Sequence, residues 1–303
     1  MSPSAPLDPL AVSSGLPGRV RGIEIRTRRF VSSQVAGNYR SVFRGSGIEF
    51  AEAREYVPGD DVRRIDWNVT ARMGTPWVKE YVEERDLTLV CAVDRSASML
   101  AASPDGGRLR AAAELVALLG FAASYNNDRT GLLTFSDGVD AFVEPRRGVR
   151  HVLRQVRDVL QADIAPRRGT SMAPALEHLG RVLRRRSLVF VVSDFFTEGY
   201  EEALQTLARR HDVVALVLVD PLDRALPDVG LLDVADAETG RHLLVDTSDA
   251  EVRARYARAA AERAATRDAR LAAAGVDQVE VRLDQDVAPP MAAFFRRRAQ
   301  GAR

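Results

Sequence analysis

The sequence has few of the features that assign a chain to several common classes of protein. Its 303 residues contain one cysteine, Cys91, so no disulfide can form within the chain and a reducing compartment is expected. Basic and acidic residues nearly cancel, 43 against 42, which gives no general electrostatic field for nucleic acid or an anionic membrane. We therefore expect no nucleic-acid partner.

Long apolar runs are also missing. No stretch of the sequence reaches the roughly 20 apolar residues that a membrane helix requires. The first 18 residues are rich in Pro, Ser and Gly, and they lack the basic start and apolar centre of a signal peptide. We predict that residues 1–20 form a flexible tail, that the chain does not insert into a membrane, and that the protein is cytoplasmic.

The composition is that of a globular protein, 46% hydrophobic and 28% charged. Residues 21–86 show no long helical periodicity, and turn sequences such as 58–61 separate short alternating stretches such as 77–82. This pattern predicts a small β-rich appended region that packs on the domain that follows it. The ion pairs expected to hold it there involve Arg54, Arg63, Arg64 and Asp66.

The pattern changes after residue 86. Nearly continuous apolar runs at 87–93, 187–192 and 213–219 are typical of strands covered on both faces, as in parallel sheets. Strands that alternate with helices predict right-handed βαβ units, so residues 87–303 should form an α/β domain with a doubly wound, mostly parallel sheet. The predicted helices cover residues 108–125, 149–160, 173–186, 201–210, 250–274 and a short segment that ends near 298.

Three of the predicted strands end in an aspartate: Asp94, Asp194 and Asp220. Ligands of open α/β sheets bind beyond the carboxyl ends of the strands. Asp94 begins the motif Asp94-x-Ser96-x-Ser98, and alternate residues of an extended chain project to one side. One carboxylate and two hydroxyls would then meet at one point. Such hard oxygen donors favour Mg²⁺, Mn²⁺ or Ca²⁺ over zinc or copper.

Hydroxyl ligands are neutral, so they would leave most of the charge of a bound cation uncompensated. The cation would then keep a strong affinity for an incoming carboxylate. The motif therefore indicates that the protein captures an anionic group of a partner.

This motif at the end of an apolar strand resembles the metal-ion-dependent adhesion site of von Willebrand factor A domains. In that family a second loop supplies a threonine and a third loop supplies an aspartate. Gly169-Thr170-Ser171 matches the second loop, where Ser171 competes with Thr170, and Asp194 matches the third. The resemblance thus implies five metal ligands: Asp94, Ser96, Ser98, Thr170 and Asp194.

Further motifs extend the resemblance to most of the chain. They are Gly47-Ile48-Glu49-Phe50, the block 54–66, Thr70-Ala71-Arg72, Ser193-Asp194-Phe195 and Asp236-x-Glu238-Thr239-Gly240. Together these motifs resemble the bacterial domain of unknown function 58 family, whose members typically sit beside MoxR-type AAA+ ATPases. The resemblance implies a partner or adaptor of such an ATPase, or of its client, in the maturation of proteins or complexes.

Two other functions compete with this interpretation. Asp94 could be the nucleophile of a magnesium-dependent hydrolase that resembles the haloacid dehalogenase-like phosphatases. Those enzymes use a second aspartate two residues later as acid and base, and Ser96 cannot do that work. The third possibility is a degenerate scaffold that binds no metal. We predict a non-enzymatic, metal-dependent binding module.

Several polar residues are interpreted as structural. Asp220 precedes a proline and is predicted to form a turn rather than to bind metal. Asp60 and Asp61 follow Pro-Gly, where turn geometry favours aspartate. The four histidines lack the spacing of metal ligands and none is predicted to be catalytic: His151, His178, His211 and His242.

Overall fold

The computed structural model describes residues 16–30, 49–82, 87–100, 107–161, 170–235 and 242–301. The chain divides into two compact units, a larger one of residues 1–42 and 88–303 and a smaller one of residues 43–87. The helices are α1 (Leu16–Phe30), α2 (Trp67–Met73), α3 (Ala97–Leu100), α4 (Gly107–Tyr125), α5 (Val149–Leu160), α6 (Ala173–Val182), α7 (Glu201–Arg210), α8 (Ala250–Ala273) and α9 (Ala288–Gly301). The strands are β1 (Glu49–Glu55), β2 (Trp77–Val82), β3 (Thr88–Asp94), β4 (Arg129–Phe135), β5 (Val139–Arg146), β6 (Leu188–Ser193), β7 (Asp212–Val219), β8 (Leu231–Ala235), β9 (His242–Asp246) and β10 (Asp277–Arg282).

The smaller unit contains an antiparallel pair, β1 and β2, and the helix α2, which the sequence did not predict. Asp66 begins α2, because its carboxylate accepts hydrogen bonds from the next free backbone N–H groups, those of Asn68 and Val69. Gly74 ends the helix in the left-handed conformation, at φ 75°. Local backbone chemistry therefore sets both ends of this helix.

Arg54 forms an ion pair with an acidic residue of the same unit. Both guanidinium Nη atoms of Arg54 contact the carboxylate of Asp60 at 2.7 Å, within the same unit. Arg54 thereby holds the pKa of Asp60 at about 2. The backbone N–H of Val57 also donates to Asp60, so a local turn brings the carboxylate back to its partner. These contacts of Arg54, and the helix cap at Asp66, stabilise the unit internally.

Helix α1 is a second difference, since a tail was predicted up to residue 20. Gly22, Ile23 and Thr27 form its buried side, and the helix packs on α4 and α5 of the larger unit. Arg26 donates to Glu114 of α4 at 2.9 Å. The single large apolar residue among these three, in a helix with many arginines, explains why the sequence pattern did not reveal it.

The larger unit is built on a six-stranded sheet with the strand order β10-β7-β6-β3-β4-β5. The first five strands are mutually parallel, and β5 runs antiparallel to β4 at the edge. The predicted α/β fold with a doubly wound, mostly parallel sheet is therefore confirmed.

The strand order reverses beside β3. The chain passes from β3 to β4 and β5 on one side, and then crosses back to β6 on the other. A sheet of this kind opens a crevice at the carboxyl ends of the two strands where the order reverses. Asp94 is the last residue of β3 and Ser193 is the last residue of β6, so both lie at this crevice.

Helices cover both faces of the sheet. Residues of α6 and α7 share a buried cluster with Leu271 of α8 and with β3, β6 and β7, while α4 and α5 pack on each other and contact β3 and β4. Buried aliphatic side chains of this kind each stabilise the fold by about 1.5–3 kcal/mol. None of the helices in the described ranges has the length and apolar character needed to cross a membrane.

Gly120 marks the closest approach of α4 to α5. A Cβ atom at this position would lie 2.6 Å from Cγ1 of Val152, which is fully buried and cannot move aside freely. We expect Gly120→Ala to lower the free energy of unfolding by about 1–2 kcal/mol, because the overpacking exceeds the gain in helix propensity. Urea unfolding measures this change.

Gly180 provides the matched control within α6. Its Cβ would meet only Leu207 Cδ1, at the ordinary distance of 3.9 Å. Gly180→Ala should therefore leave stability unchanged or raise it by up to about 1 kcal/mol. Equal losses in both variants would contradict the assignment of Gly120 as a contact residue, and adding Val152→Ala should remove most of the strain of Gly120→Ala.

Candidate metal centre

The first loop of the centre begins at Asp94, which is fully buried. Its Oδ1 accepts a hydrogen bond from the backbone N–H of Ser96 at 2.8 Å, and its Oδ2 accepts one from the hydroxyl of Ser193 at 2.6 Å. The bond to Ser96 turns the chain out of the strand and into α3, so the predicted extended conformation is wrong. The turn still brings the hydroxyls of Ser96 and Ser98 together, with their oxygens 3.1 Å apart.

The third loop is joined to the first by Ser193. Its hydroxyl donates to Asp94 and accepts from the backbone N–H of Phe195 at 3.0 Å. Phe195 has the unusual φ of 58°, and its buried ring packs edge-on against Tyr200 with centroids 5.8 Å apart. These contacts hold a turn that a non-glycine residue rarely adopts. The turn contains Asp194, which directly follows Ser193, the residue that donates to the carboxylate of Asp94.

Asp194 is itself buried, with 3% of its surface exposed. Its Oδ1 accepts from the backbone N–H of Phe196 at 3.1 Å. Its Oδ2 is enclosed and, among the described residues, has no hydrogen-bond partner. A buried carboxylate oxygen of this kind requires a compensating positive charge or donor, since leaving it unpaired is costly.

The second loop is described from Thr170 onward, so Gly169 of the predicted motif lies outside the described residues. The carbonyl of Thr170 accepts from the hydroxyl of Thr197 at 2.9 Å, which ties this loop to the third one. The N–H of Ser171 donates to the carbonyl of Ser136, immediately after β4, at 2.8 Å. The second loop is thus held at the same edge of the sheet, and both Thr170 and Ser171 are half-buried.

A buried arginine of α4 borders the centre. The Nη2 atom of Arg108 contacts both carboxylate oxygens of Asp223 at 2.6 and 2.7 Å, and Nη1 donates to the carbonyl of Ser98 at 3.1 Å. Its Nε lies 3.9 Å from Oδ2 of Asp194, too far for a hydrogen bond. Burial lowers the pKa of Arg108, but Asp223, Asp194 and Asp220 more than offset it, so the guanidinium stays charged.

The surroundings of Asp94 disfavour the ionised form of its carboxyl group. Burial raises the pKa of Asp94 to about 6, and the neighbouring charge of Asp194 adds to the increase. The hydrogen bonds from Ser193 and Ser96 oppose it only in part. The centre therefore contains a buried carboxylate whose ionised form is disfavoured, close to a second buried carboxylate.

The donors of the centre fit a hard divalent cation. They are carboxylate and hydroxyl oxygens, the ligands that Mg²⁺ and Ca²⁺ prefer, and the buried Oδ2 of Asp194 offers an oxygen without a hydrogen-bond donor. Within the described residues no group of three or more His, Cys, Asp and Glu side chains converges on one point. A cation here would thus be held largely by neutral hydroxyls, as the motif predicts.

The network links four of the predicted ligands. Asp94 contacts Ser96, Ser96 contacts Ser98, and the hydroxyl of Ser193 connects Asp94 to the loop that carries Asp194. Thr170 is positioned from that same loop by Thr197. Sequence reasoning did not assign roles to Ser193 or to the pair Arg108 and Asp223, whose members are 115 residues apart.

Asp60, Asp61 and Asp220, which were interpreted as turn residues, accept local backbone hydrogen bonds. Asp220 caps the short 3-10 helix Pro221–Asp223, with Oδ1 accepting from the N–H of Leu222 at 2.9 Å. Asp61 caps the 3-10 helix Val62–Arg64 in the same way. The turn interpretation of Asp60, Asp61 and Asp220 is therefore confirmed.

Solved structures that are similar to this chain have low sequence identity and TM-scores below 0.5. A protein described as conserved hypothetical protein BatB, from Bacteroides thetaiotaomicron, is 18% identical with a TM-score of 0.41, over 71% of this chain and 99% of that one. The SpRpn10 VWA domain is 12% identical with a TM-score of 0.38, over 68% of this chain and 93% of that one.

Sequence relatives are closer. Uncharacterized proteins of Mycobacterium bovis and Mycobacterium tuberculosis are each 32% identical over 292 residues, which covers 95% of this chain and 91% of theirs. The family model described as "Protein of unknown function DUF58" matches residues 52–266, more than two thirds of the chain. The chain therefore belongs to the DUF58 family.

Proposed function

We propose that the protein is a non-enzymatic binding module that holds Mg²⁺ at this centre and uses it to bind a carboxylate of a partner protein. The observation that carries the proposal is that the first and third loops meet at the reversal of strand order, where open α/β sheets bind ligands. Ser193 donates to Asp94 there, and the hydroxyls of Ser96 and Ser98 lie together in the same turn. The proposed ligands are Asp94, Ser96, Ser98, Thr170 and Asp194.

The balance of charge supports a cation at this point. Asp94 and Asp194 are both buried, and the guanidinium of Arg108, near Asp194, makes its close contacts with Asp223. A divalent ion would supply the missing positive charge and a ligand partner for Oδ2 of Asp194. The five proposed ligands would leave one position of an octahedral ion open for a further oxygen ligand, such as a carboxylate of the partner.

The surroundings of Asp94 argue against the alternative of a hydrolase. A nucleophilic carboxylate must reach its substrate, but Asp94 is fully buried. One of its oxygens accepts a hydrogen bond from Ser96 and the other accepts one from Ser193. The residue two positions later, which would act as acid and base, is a serine. A role in metal binding requires neither exposure nor a second acid.

Membership of the DUF58 family suggests the partner. We propose a MoxR-type AAA+ ATPase, or its client, as the protein whose carboxylate completes the coordination of the metal. The chain would then act as an adaptor in the maturation of a protein or complex. A large α/β domain that presents the cation at a sheet edge is suited to that task.

Calorimetric titration with Mg²⁺ and Mn²⁺ tests the metal site. We expect saturable binding to the native chain and its loss in Asp194→Asn. The matched control is Asp128→Asn, because Asp128 is buried to the same degree but precedes β4, at the opposite edge of the sheet. Thr170→Val should weaken binding more than Ser171→Ala. Absence of binding to the native chain would favour a metal-free scaffold.

The partner requires a separate experiment. A purified MoxR-type ATPase from the same cell should be retained by the immobilised native chain with Mg²⁺, and be released by EDTA. The Asp194→Asn chain should retain little of it, while Asp128→Asn should behave like the native chain. Retention that survives both EDTA and Asp194→Asn would mean that no cation bridges the two proteins. Measured ATP or phosphate-ester hydrolysis that disappears in Asp94→Ala would instead support an enzyme.

A further inference from the structure

The strands β8 and β9 form an isolated two-stranded antiparallel sheet, separate from the six-stranded one. Its base is fixed, since the N–H and hydroxyl of Thr247 both donate to the carbonyl of Gly230, at 2.7 and 2.6 Å. A two-stranded sheet is marginally stable in water, and it needs further strands or a packing partner to be independently stable.

Large apolar side chains are exposed along the hairpin. Leu231 and Leu243 each have 66% of their surface exposed, and Leu244 has 63%. By the cross-strand register, one face of the hairpin consists entirely of aliphatic residues, Leu232, Val234, Leu243 and Val245. Within the described ranges neither strand pairs with any strand but the other, and exposed aliphatic residues on such a sheet mark a site of association.

The charges on the two strands favour β9 over β8 as the edge that binds, and a second copy of the chain as the partner that binds there. Within one chain, Nδ1 of His242 lies 3.1 Å from both carboxylate oxygens of Asp233 on β8. If two copies paired antiparallel through β9, centred on Leu244, then His242 of each copy would also lie opposite Asp246 of the other, and each imidazole would have a carboxylate on both sides. Ser248 holds the pKa of Asp246 below its usual value, so this group is anionic. Pairing of two copies through β8, centred on Asp233, would instead bring two carboxylates face to face, which is unfavourable.

We propose that a second copy of this chain binds along β9, joining the two hairpins into a four-stranded sheet with the order β8-β9-β9-β8. On one face the aliphatic residues of both copies would become continuous, with Leu243 opposite Val245. On the other face two His242–Asp246 pairs would flank the central leucines. The contact uses no residue of the metal centre and does not depend on the proposed metal-dependent function.

Disulfide trapping tests the register. Leu244→Cys should form an intermolecular disulfide on mild oxidation, because opposed residues of an antiparallel pair lie about 4.5–5.5 Å apart at Cα, within disulfide range. The native Cys91 is buried, so it gives no background. Leu231→Cys is the matched control. It is as exposed, but it lies on the outer strand, where the two copies would be separated by roughly 14 Å.

Sedimentation of the full-length chain tests the contact without a cross-link. We expect a dimer that persists in EDTA, that dissociates in Leu244→Lys, where two cations meet at the symmetry axis, and that survives in Leu231→Lys. A native chain that is monomeric throughout, or a dimer in which both cysteine variants cross-link equally, would overturn the proposal. So would a dimer that dissociates in Leu231→Lys but not in Leu244→Lys.

Discussion

Without divalent metal, Asp94→Asn is expected to raise the free energy of unfolding at about pH 8 by about 2–3 kcal/mol. Burial raises the pKa of Asp94 from 3.8 to about 6 in the folded chain, and each unit corresponds to about 1.4 kcal/mol of lost stability for the charged form. Asparagine keeps the shape of the side chain. Its carbonyl can accept from the N–H of Ser96, and its amide can donate to the hydroxyl of Ser193, which accepts there instead of donating.

The direction of the pH dependence follows from the same shift. Because the folded pKa of Asp94 is raised above the unfolded one, its contribution to stability is fully present below about pH 4 and is lost as the pH rises through about 6. Urea unfolding of both chains in EDTA between about pH 5 and 8 should therefore show the variant gaining on the native chain as the pH rises. Parallel curves would mean that Asp94 carries no such penalty.

Magnesium should reverse the ranking of the two chains. An ion that binds only the folded state stabilises it by about 4.1 kcal/mol at a concentration one thousand times its dissociation constant, which exceeds the penalty of about 2–3 kcal/mol. Native Asp94 gains this stabilisation near neutral pH, where it is ionised, whereas Asp94→Asn gains little. Binding of Mg²⁺ thus offsets the loss of stability that the buried Asp94 carboxylate causes in the metal-free chain. A variant stabilised by Mg²⁺ as strongly as the native chain would remove Asp94 from the ligand set.

The elements of the larger unit were predictable where one physical signal dominates. The strand runs of β3, β6 and β7 are almost wholly apolar because both faces of the sheet are covered, and the amphipathic patterns of α5 and α7 gave their observed ends. Helix α6 was predicted to reach residue 186 but ends at Val182. The reason is tertiary, because Leu183 turns inward, 6% exposed, and the chain must be extended before β6 begins.

Elements determined by contacts distant in sequence were not predictable. Helix α1 is stabilised by α4 and α5, about ninety residues or more further along the chain, through Ile23 and the Arg26–Glu114 pair. Strand β8 was missed because its exposed leucines break the alternation that identifies a half-buried strand. Neither segment has a strong pattern of its own.

The candidate metal centre shows the same division. Asp94, Ser96 and Ser98 lie within five residues, so their motif could be recognised directly in the sequence. Assigning Thr170 and Asp194 required the resemblance to a family, because their loops are remote from the first. The pair Arg108 and Asp223 forms only when the folded chain brings the start of α4 against the loop after β7. No sequence spacing signals such a pair.

Arg108→Met is expected to lower the free energy of unfolding by about 3 kcal/mol, the typical loss when one member of a buried ion pair is removed. The side chain of Arg108 is 10% exposed and that of Asp223 is 19% exposed. Water can therefore solvate the unpaired carboxylate of Asp223 only in part. Methionine fills similar volume and keeps the apolar stem contacts. Arg26→Met is the matched control. Arg26 is 43% exposed, and its pair with Glu114 should be worth at most about 1 kcal/mol.

A second substitution separates lost charge balance from lost packing. Asp223→Asn, added to Arg108→Met, removes the abandoned charge and should recover roughly half of the loss, since members of one network are not additive. The single variant should also bind Mg²⁺ more tightly than the native chain, because a positive charge 3.9 Å from Asp194 opposes an incoming cation. Weaker Mg²⁺ binding in a folded Arg108→Met chain would instead make Arg108 a support of the metal centre. The sign of that change therefore decides whether this guanidinium competes with the metal or holds its ligands in place.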